Sequence, residues 1–402
     1  MRQVYMYKRL AVVALVGLSL TGCASMKDWF TSDKAKAKKA LEPAELVKFD
    51  ASVELRRLWS ANVGKGEGRI GIAQAPAVAD GVVYAAALEG GVHALDLNTG
   101  KSLWHWKPEK EKGKPELRLS GGPGAGGGLV VIGTLNGDVI ALDAAGGNEQ
   151  WRAKVRSEVI AAPTIANGLV FVRGNDGRVT AFEASNGTQR WFNSQELPAL
   201  TVRGNAPVLA GPGVAFVGND DGTLAALAMN DGSPVWEQMV GPIEGRTDLE
   251  RMADVDAAPV IDGNVVFVSS YKDQTLAIDG PSGRPMWVRD HGGAGQLAVT
   301  SGAVVLSDGK GTVWSLDKYS GAALWSQPAL ARRELTGTAV LGDYAVVGDL
   351  EGYLHLMRLS DGEFAGRIKH SGERLLAAPR VANGVLLVQD VDGKLAAYGL
   401  RQ

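Results

Sequence analysis

The chain has 402 residues, a formal net charge of −2 and one cysteine. This nearly balanced charge provides no clustered basic face, which nucleic-acid binding requires, so nucleic acid is excluded as a partner. One cysteine allows no disulfide within the chain, so the fold depends on packing alone. The length exceeds an average domain of about 150 residues, which indicates several domains or one architecture built from repeated units.

The N-terminus has the charge order of an export signal. Arg2, Lys8 and Arg9 precede the apolar stretch 10–20, which is too short to cross a bilayer that needs about 20 residues. A basic segment followed by a short apolar one is typical of a secretory signal. We therefore predict a signal peptide over residues 1–22.

The end of this segment resembles the lipobox of bacterial lipoproteins, in which a cysteine is acylated and becomes the new N-terminus. Leu20, Thr21 and Gly22 precede the single cysteine, Cys23. The resemblance implies lipidation of Cys23, whereas the alternative is a soluble exported protein cleaved nearby. Asp after the cysteine favours inner-membrane retention in that family. Ala24 at this position therefore implies an anchor in the outer membrane, on its periplasmic face.

Residues 23–50 differ in composition from the rest of the chain and form a predicted lipidated tether. Acids are interspersed with its lysines, which are Lys27, Lys34, Lys36, Lys38, Lys39 and Lys48. This mixture is typical of a solvated linker. Attraction of the lysines to anionic headgroups is the alternative.

One pattern of short apolar strands and glycine turns repeats from residue 55 onward. The opening positions of successive repeats lie 39 to 52 residues apart, at Pro76, Pro123, Pro163, Pro207, Pro259, Ala298, Thr338 and Pro379. Four short strands per unit at this spacing are typical of a propeller blade. The sequence therefore predicts an all-β fold, an eight-bladed β-propeller over residues 51–402 with four antiparallel strands per blade.

A tryptophan recurs at one place in the repeat. The series is Trp104, Trp151, Trp191, Trp236, Trp287 and Trp325, with Phe364 in the seventh place. Recurrence at one register favours packing between neighbouring blades over stacking on a ligand.

The eighth repeat is cut short after its third strand, at residues 394–398. The missing tryptophan strand is present at the other end of the ring, at residues 55–60. We predict that this N-terminal strand completes the last blade, because an open edge invites aggregation.

The repeat, of the form GxVYxxxxDGxLxALDxxTGxxxW, resembles the repeats of quinoprotein alcohol dehydrogenases. The lipoprotein scaffolds of the outer-membrane β-barrel assembly (BAM) machinery share it, and the resemblance covers about 350 residues. The dehydrogenases hold pyrroloquinoline quinone (PQQ) beside a calcium ion, often with a vicinal disulfide that this ring cannot form. The five histidines show no metal-ligand spacing. We predict no catalytic residue, metal or cofactor, and a PQQ-dependent quinoprotein dehydrogenase remains the alternative.

Two connections between blades interrupt the repeat, at residues 197–205 and 241–257. In the scaffold family, matching segments dock on the periplasmic POTRA domains of BamA, the membrane-embedded assembly protein. Carried over by position, the resemblance implies the partner-binding residues Leu200, Val202, Arg203, Asp254 and Asp256. The alternative is a local ion pair between Arg203 and the two aspartates. The hairpin 348–355 also resembles the blade-seven hairpin of that family.

The predicted function is therefore a non-catalytic scaffold lipoprotein that assists insertion of β-barrel proteins into the outer membrane. Its predicted partners are BamA and the other BAM members. Unfolded barrel precursors are a further predicted partner, because an extended chain can add to an exposed strand edge.

Overall fold

The computed structural model describes residues 41–66, 71–109, 117–201, 206–242, 246–247, 249 and 252–401. The predicted signal peptide and Cys23 lie outside these residues. The chain divides into two compact units, Met1–Pro43 and Ala44–Gln402. Within the described part of the chain, no helix is both long enough and apolar enough to cross a membrane.

The described residues of the second unit form thirty-two strands. The strand that precedes the repeats is β1 (Glu54–Asn62). The first four blades contain β2 (Ala77–Ala79), β3 (Val82–Ala86), β4 (Val92–Asp96), β5 (Ser102–Trp106); β6 (Gly124–Gly126), β7 (Leu129–Gly133), β8 (Asp138–Asp143), β9 (Glu149–Lys154); β10 (Thr164–Ala166), β11 (Leu169–Arg173), β12 (Arg178–Glu183), β13 (Gln189–Ser194); β14 (Leu209–Ala210), β15 (Val214–Gly218), β16 (Thr223–Ala228) and β17 (Pro234–Met239). The other four contain β18 (Val260–Asp262), β19 (Val265–Ser269), β20 (Thr275–Asp279), β21 (Pro285–Arg289); β22 (Ala298–Val299), β23 (Ala303–Ser307), β24 (Val313–Asp317), β25 (Ala323–Gln327); β26 (Ala339–Leu341), β27 (Tyr344–Gly348), β28 (Tyr353–Arg358), β29 (Phe364–Lys369); and β30 (Arg380–Ala382), β31 (Val385–Gln389) and β32 (Lys394–Arg401).

The strands pair into eight four-stranded antiparallel sheets, so the predicted eight-bladed propeller is confirmed. The short first strands of neighbouring blades contact one another, for example β2 with β6 and β22 with β26. They therefore line the central axis, and the tryptophan strands lie at the periphery. The second and third strands between them are almost wholly buried and apolar, because both faces of a blade pack on neighbouring blades.

The predicted closure of the ring by the N-terminal strand is also confirmed. In blade eight the strand order is β1, β32, β31, β30. Strand β1 pairs antiparallel with β32, from Glu54 opposite Arg401 to Asn62 opposite Lys394, with an irregularity between Arg57 and Trp59.

The recurring tryptophans lie between blades, as predicted. Trp191 of blade three donates its indole N–H to the carbonyl of Met229 in blade four, at 3.0 Å. Its ring covers Gly232, where an added Cβ would lie 2.4 Å from the ring. Gly232 also has a φ of 72°, so both the turn and the ring above it require glycine. The same indole bond is made by Trp59, Trp104, Trp151, Trp236, Trp287 and Trp325.

Phe364 replaces tryptophan in blade seven because the next blade lacks the turn to which a tryptophan would bond. The tryptophan of each blade bonds to the turn between the third and fourth strands of the next blade. In blade eight those strands are the two ends of the ring, so the turn does not exist. The ring of Phe364 instead stacks on Phe49, with centroids 5.4 Å apart.

Residues 44–53, here called the strap, pack on blade seven. The amides of Ser52 and Val53 both donate to the carbonyl of Ala365, at 2.9 and 3.1 Å. Leu46 and Phe49 pack partly buried against the core cluster of blades six and seven. The compact unit therefore begins at Ala44, before the expected boundary at residue 51.

Candidate functional site

The two irregular connections emerge on one rim of the propeller. Because successive strands are antiparallel, the connections between blades share a rim with the hairpins between second and third strands. The amide of Val255 donates to the carbonyl of Asn219 in the blade-four hairpin, at 3.1 Å. The docking rim is defined here as the described residues of the connection between blades three and four, 195–201 and 206–208, and of the connection between blades four and five, 240–242, 246–247, 249 and 252–259.

Leu200 presents the exposed apolar surface of this rim. Its side chain is 48% exposed, and that of neighbouring Leu197 is 43% exposed. Val202 and Arg203, the next two predicted contacts, lie outside the described residues. An exposed leucine on a fixed rim is suited to partner binding.

Asp254 and Asp256 face inward. Asp254 is fully buried, and both carboxylate oxygens of Asp256 are buried with no hydrogen-bond donor among the described residues. The backbone carbonyl of Asp254 accepts from the amide of Tyr271, at 2.8 Å. The two carboxyl groups therefore lie beneath the surface of the rim.

A buried arginine that the sequence interpretation missed provides the positive charge of this region. Arg173 ends β11, is 2% exposed, and donates to Asp220 at 2.5 Å and to the carbonyl of Gly218. In the other blades the last residue of the second strand is uncharged, being Ala86, Gly133, Gly218, Ser269, Ser307, Gly348 or Gln389. A charged residue at a register that is otherwise uncharged is the signal that could have identified Arg173.

Burial sets the electrostatics of this acidic cluster. Desolvation raises the pKa of Asp256 to about 7, helped by the nearby charge of Asp254 and opposed by Arg173. Desolvation also raises the pKa of Asp220, although Arg173 opposes the shift. Asp256 is therefore partly protonated at neutral pH.

The blade-seven hairpin contributes a second polar cluster to the same rim. Asp349 and His355 are fully buried, and Arg333 donates to Asp349 at 2.7 Å. A second donor group of Arg333 bonds to Glu351, which is half exposed at the tip of the hairpin. Among the residues described by the structure, no group of three or more His, Cys, Asp or Glu side chains could hold a metal ion.

The fold defines the class of protein as an eight-bladed propeller built from quinoprotein-type repeats. A solved structure of BamB from Moraxella catarrhalis superposes with a TM-score of 0.77 at 26% identity, covering 86% of this chain and all of that one. The quinohemoprotein alcohol dehydrogenase of Comamonas testosteroni superposes with a TM-score of 0.66 at 16% identity, covering 86% of this chain and 76% of the other. At that identity the enzyme shares the fold alone.

The family is shown by sequence. The family model described as outer membrane protein assembly factor BamB matches residues 44–118, 88–327 and 310–401. The chain is 62% identical to the outer membrane protein assembly factor BamB of Xanthomonas campestris over 405 residues, covering all of both chains. It is 36% identical to the Escherichia coli BamB, covering 83% of this chain and 86% of the other. The chain belongs to the BamB family, whose members carry the name of an assembly factor and not of an enzyme.

Proposed function

We propose that this chain is a non-catalytic scaffold lipoprotein of outer-membrane protein assembly, held on the periplasmic face of the outer membrane. The observation that carries the proposal is 62% identity over the whole length to a protein named as an outer membrane protein assembly factor. The exported, lipobox-like N-terminus supports the location.

The docking rim is the proposed contact with the POTRA domains of BamA. Leu200 supplies exposed apolar surface, and Arg203 is the neighbouring charged contact implied by family resemblance. Asp254 and Asp256 are buried beneath the rim, so the part in binding that family resemblance implies for them is indirect. Interfaces of this kind depend on a few anchoring side chains.

Binding of the lipid-free protein to the isolated POTRA domains tests this assignment. Leu200→Glu is expected to weaken binding by at least about tenfold, equivalent to about 1.4 kcal/mol, because it removes an apolar contact and places a charge in the interface. Arg203→Glu is expected to act in the same direction. Calorimetric titration measures both, with thermal melting as the check on folding.

Leu324→Glu is the matched control. Leu324 lies on β25 and is 55% exposed, so the same substitution is made on an equally exposed leucine away from the docking rim. Equal losses in the Leu200 and Leu324 variants, or unchanged affinity in the Leu200 and Arg203 variants, would refute the docking rim. A folded wild type that binds no POTRA domain would refute the partner as well.

A further inference from the structure

Two arginines of blade seven hold the strap by its backbone. Arg333 donates to the carbonyl of Ala44 at 2.9 Å, and Arg367 donates to the carbonyl of Val47 at 2.9 Å. The guanidinium of Arg367 also lies over the ring of Phe49, 4.9 Å from its centroid. The strap is therefore attached through charged side chains as well as through apolar packing.

Both arginines are positioned by one buried pair, Asp349 and His355. The Oδ2 atom of Asp349 accepts from Arg333 at 2.7 Å and contacts Nε2 of His355 at 2.9 Å. The Nε of Arg367 donates to Nδ1 of His355 at 3.0 Å. The four side chains form a continuous chain from the carbonyl of Ala44 to that of Val47.

This geometry fixes the tautomer of His355. An arginine N–H can only donate, so Nδ1 of the imidazole must accept and carries no proton. The remaining nitrogen, Nε2, then carries the proton and donates to the Asp349 carboxylate. A proton on Nδ1 would place two donors against each other, and Arg367 would have to move away.

We propose that His355 is an acid-sensitive latch: protonation of its Nδ1 displaces Arg367 and releases the part of the strap around Val47 and Phe49 from blade seven. Displacing Arg367 breaks its bond to Val47 and removes its cover from Phe49. The charged groups that face the imidazole are Asp349 from the hairpin, Arg367 from β29 and Arg333 from the connection before blade seven. Glu351 acts on it through Arg333. The strap itself contributes backbone carbonyls and the Phe49 ring.

The direction of the pH response follows from burial. Desolvation lowers the pKa of His355, and the hydrogen bond to Asp349 only partly opposes this. The histidine is therefore neutral, and the latch closed, at neutral pH. A histidine whose pKa is lower when docked loses that docking as the pH falls below about 6.5.

A nitroxide label on the strap measures its release directly. Cys23 is the only cysteine, so Cys23→Ser combined with Lys48→Cys gives one labelling site at an exposed strap position between Val47 and Phe49. Between pH 7.5 and pH 5 the mobile fraction of the spin-label spectrum is expected to rise. His355→Gln should abolish this rise, because glutamine can accept from Arg367 and donate to Asp349 without titrating.

His370→Gln is the control, since burial also lowers the pKa of His370, which directly follows β29 and contacts the hydroxyl of Tyr398 in blade eight. This variant should keep the acid response of the label. A response that persists unchanged in His355→Gln, or a label that stays immobile at every pH in the wild-type background, would overturn the latch.

A second measurement needs no variant of His355. Nitrogen NMR of the wild-type imidazoles should show Nδ1 of His355 unprotonated at pH 7.5, with its protonation midpoint matching the pH of label release. Release at a pH where Nδ1 is still unprotonated would sink the proposal even if the glutamine variant failed to fold.

Discussion

A single carboxyl group beneath the docking rim shows how burial changes the meaning of a charged residue. Asp256 belongs to the segment that family resemblance assigns to the partner. Its oxygens are nonetheless buried, and desolvation raises its pKa to about 7. Ionisation of Asp256 in the folded protein therefore lowers the free energy of unfolding.

Replacing this acid is expected to stabilise the protein. Because the folded pKa lies above the ordinary value of 3.8, the stability contributed by Asp256 is present below about pH 4 and is lost as the pH rises through 7. Asp256→Asn removes this loss. The expected gain at pH 8 is on the order of 2–4 kcal/mol, at about 1.4 kcal/mol per unit of pKa shift. Urea unfolding at pH 5 and pH 8 measures it.

Asp231→Asn supplies a control of opposite sign. Hydrogen bonds from Ser233 lower the pKa of this exposed turn residue, so its removal should destabilise the protein at neutral pH and not at low pH. An Asp256→Asn variant that loses stability at pH 8 would contradict the predicted burial cost.

Single residues could be predicted from the sequence where the same residue type recurs from blade to blade. The position of Trp191 between blades could be predicted because six other blades repeat it. Arg173 and the inward direction of Asp256 could not, because each occurs once and its surroundings come from distant parts of the chain. A sequence identifies such residues as unusual, while the fold decides which way they point.

At the scale of elements, β1 contributes to the ring beyond its hydrogen bonds. Val53, Leu55, Trp59 and Val63, within or beside this strand, are all buried. The indole of Trp59 donates to the carbonyl of Leu97 in blade one, at 2.8 Å. One strand therefore joins blade eight to blade one and completes the sheet of its own blade.

Deleting residues 51–64 is expected to open the ring. Four buried apolar side chains are lost, at about 1.5–3 kcal/mol each, which is comparable with the whole stability of a typical domain. Strand β32 is left as an open edge. A lower melting temperature together with oligomers in size-exclusion chromatography is the expected result.

Glu54→Ala and Arg56→Ala, both at exposed positions of β1, should leave melting nearly unchanged. A deletion variant that melts cooperatively at the wild-type temperature would show that the strand is dispensable.

Strands were the most predictable elements, because alternation and glycine turns mark each one. The packing of the strap was not predicted for a physical reason: its Lys-containing surroundings resemble a linker, and its packed apolar residues, Leu46, Phe49 and Val53, are few and show no strand alternation with glycine turns. Phe364 was recognised as an exception in the tryptophan series, but its cause required knowledge of which strands are chain ends.

At the scale of the whole molecule, anchoring and folding are predicted to be separable. The compact unit starts at Ala44, and the predicted acyl chains lie on Cys23, well before it. Buried acyl chains contribute about 0.8 kcal/mol per CH₂ group to membrane binding, and none of that energy enters the propeller.

Cys23→Ser is therefore expected to move the protein from the outer-membrane fraction to the soluble periplasmic fraction without changing its melting temperature. Cell fractionation and calorimetry measure the two effects. Ser25→Ala, two residues further on, is the control and should remain in the membrane fraction. Retention of the Cys23 variant in membranes would contradict the lipid anchor.

The pairing of β1 with β32 also determines the order in which the protein can fold. The two strands are at opposite ends of the ring sequence. Strand β1 is therefore synthesised before all the blades but can pair only after β32 has been synthesised. The entropy of closing a loop grows with its length, and pairings so distant in sequence form slowly. During this interval the edges of both β1 and β32 are unpaired. An assembly factor for other β-proteins thus passes through the same hazard of exposed edges during its own folding.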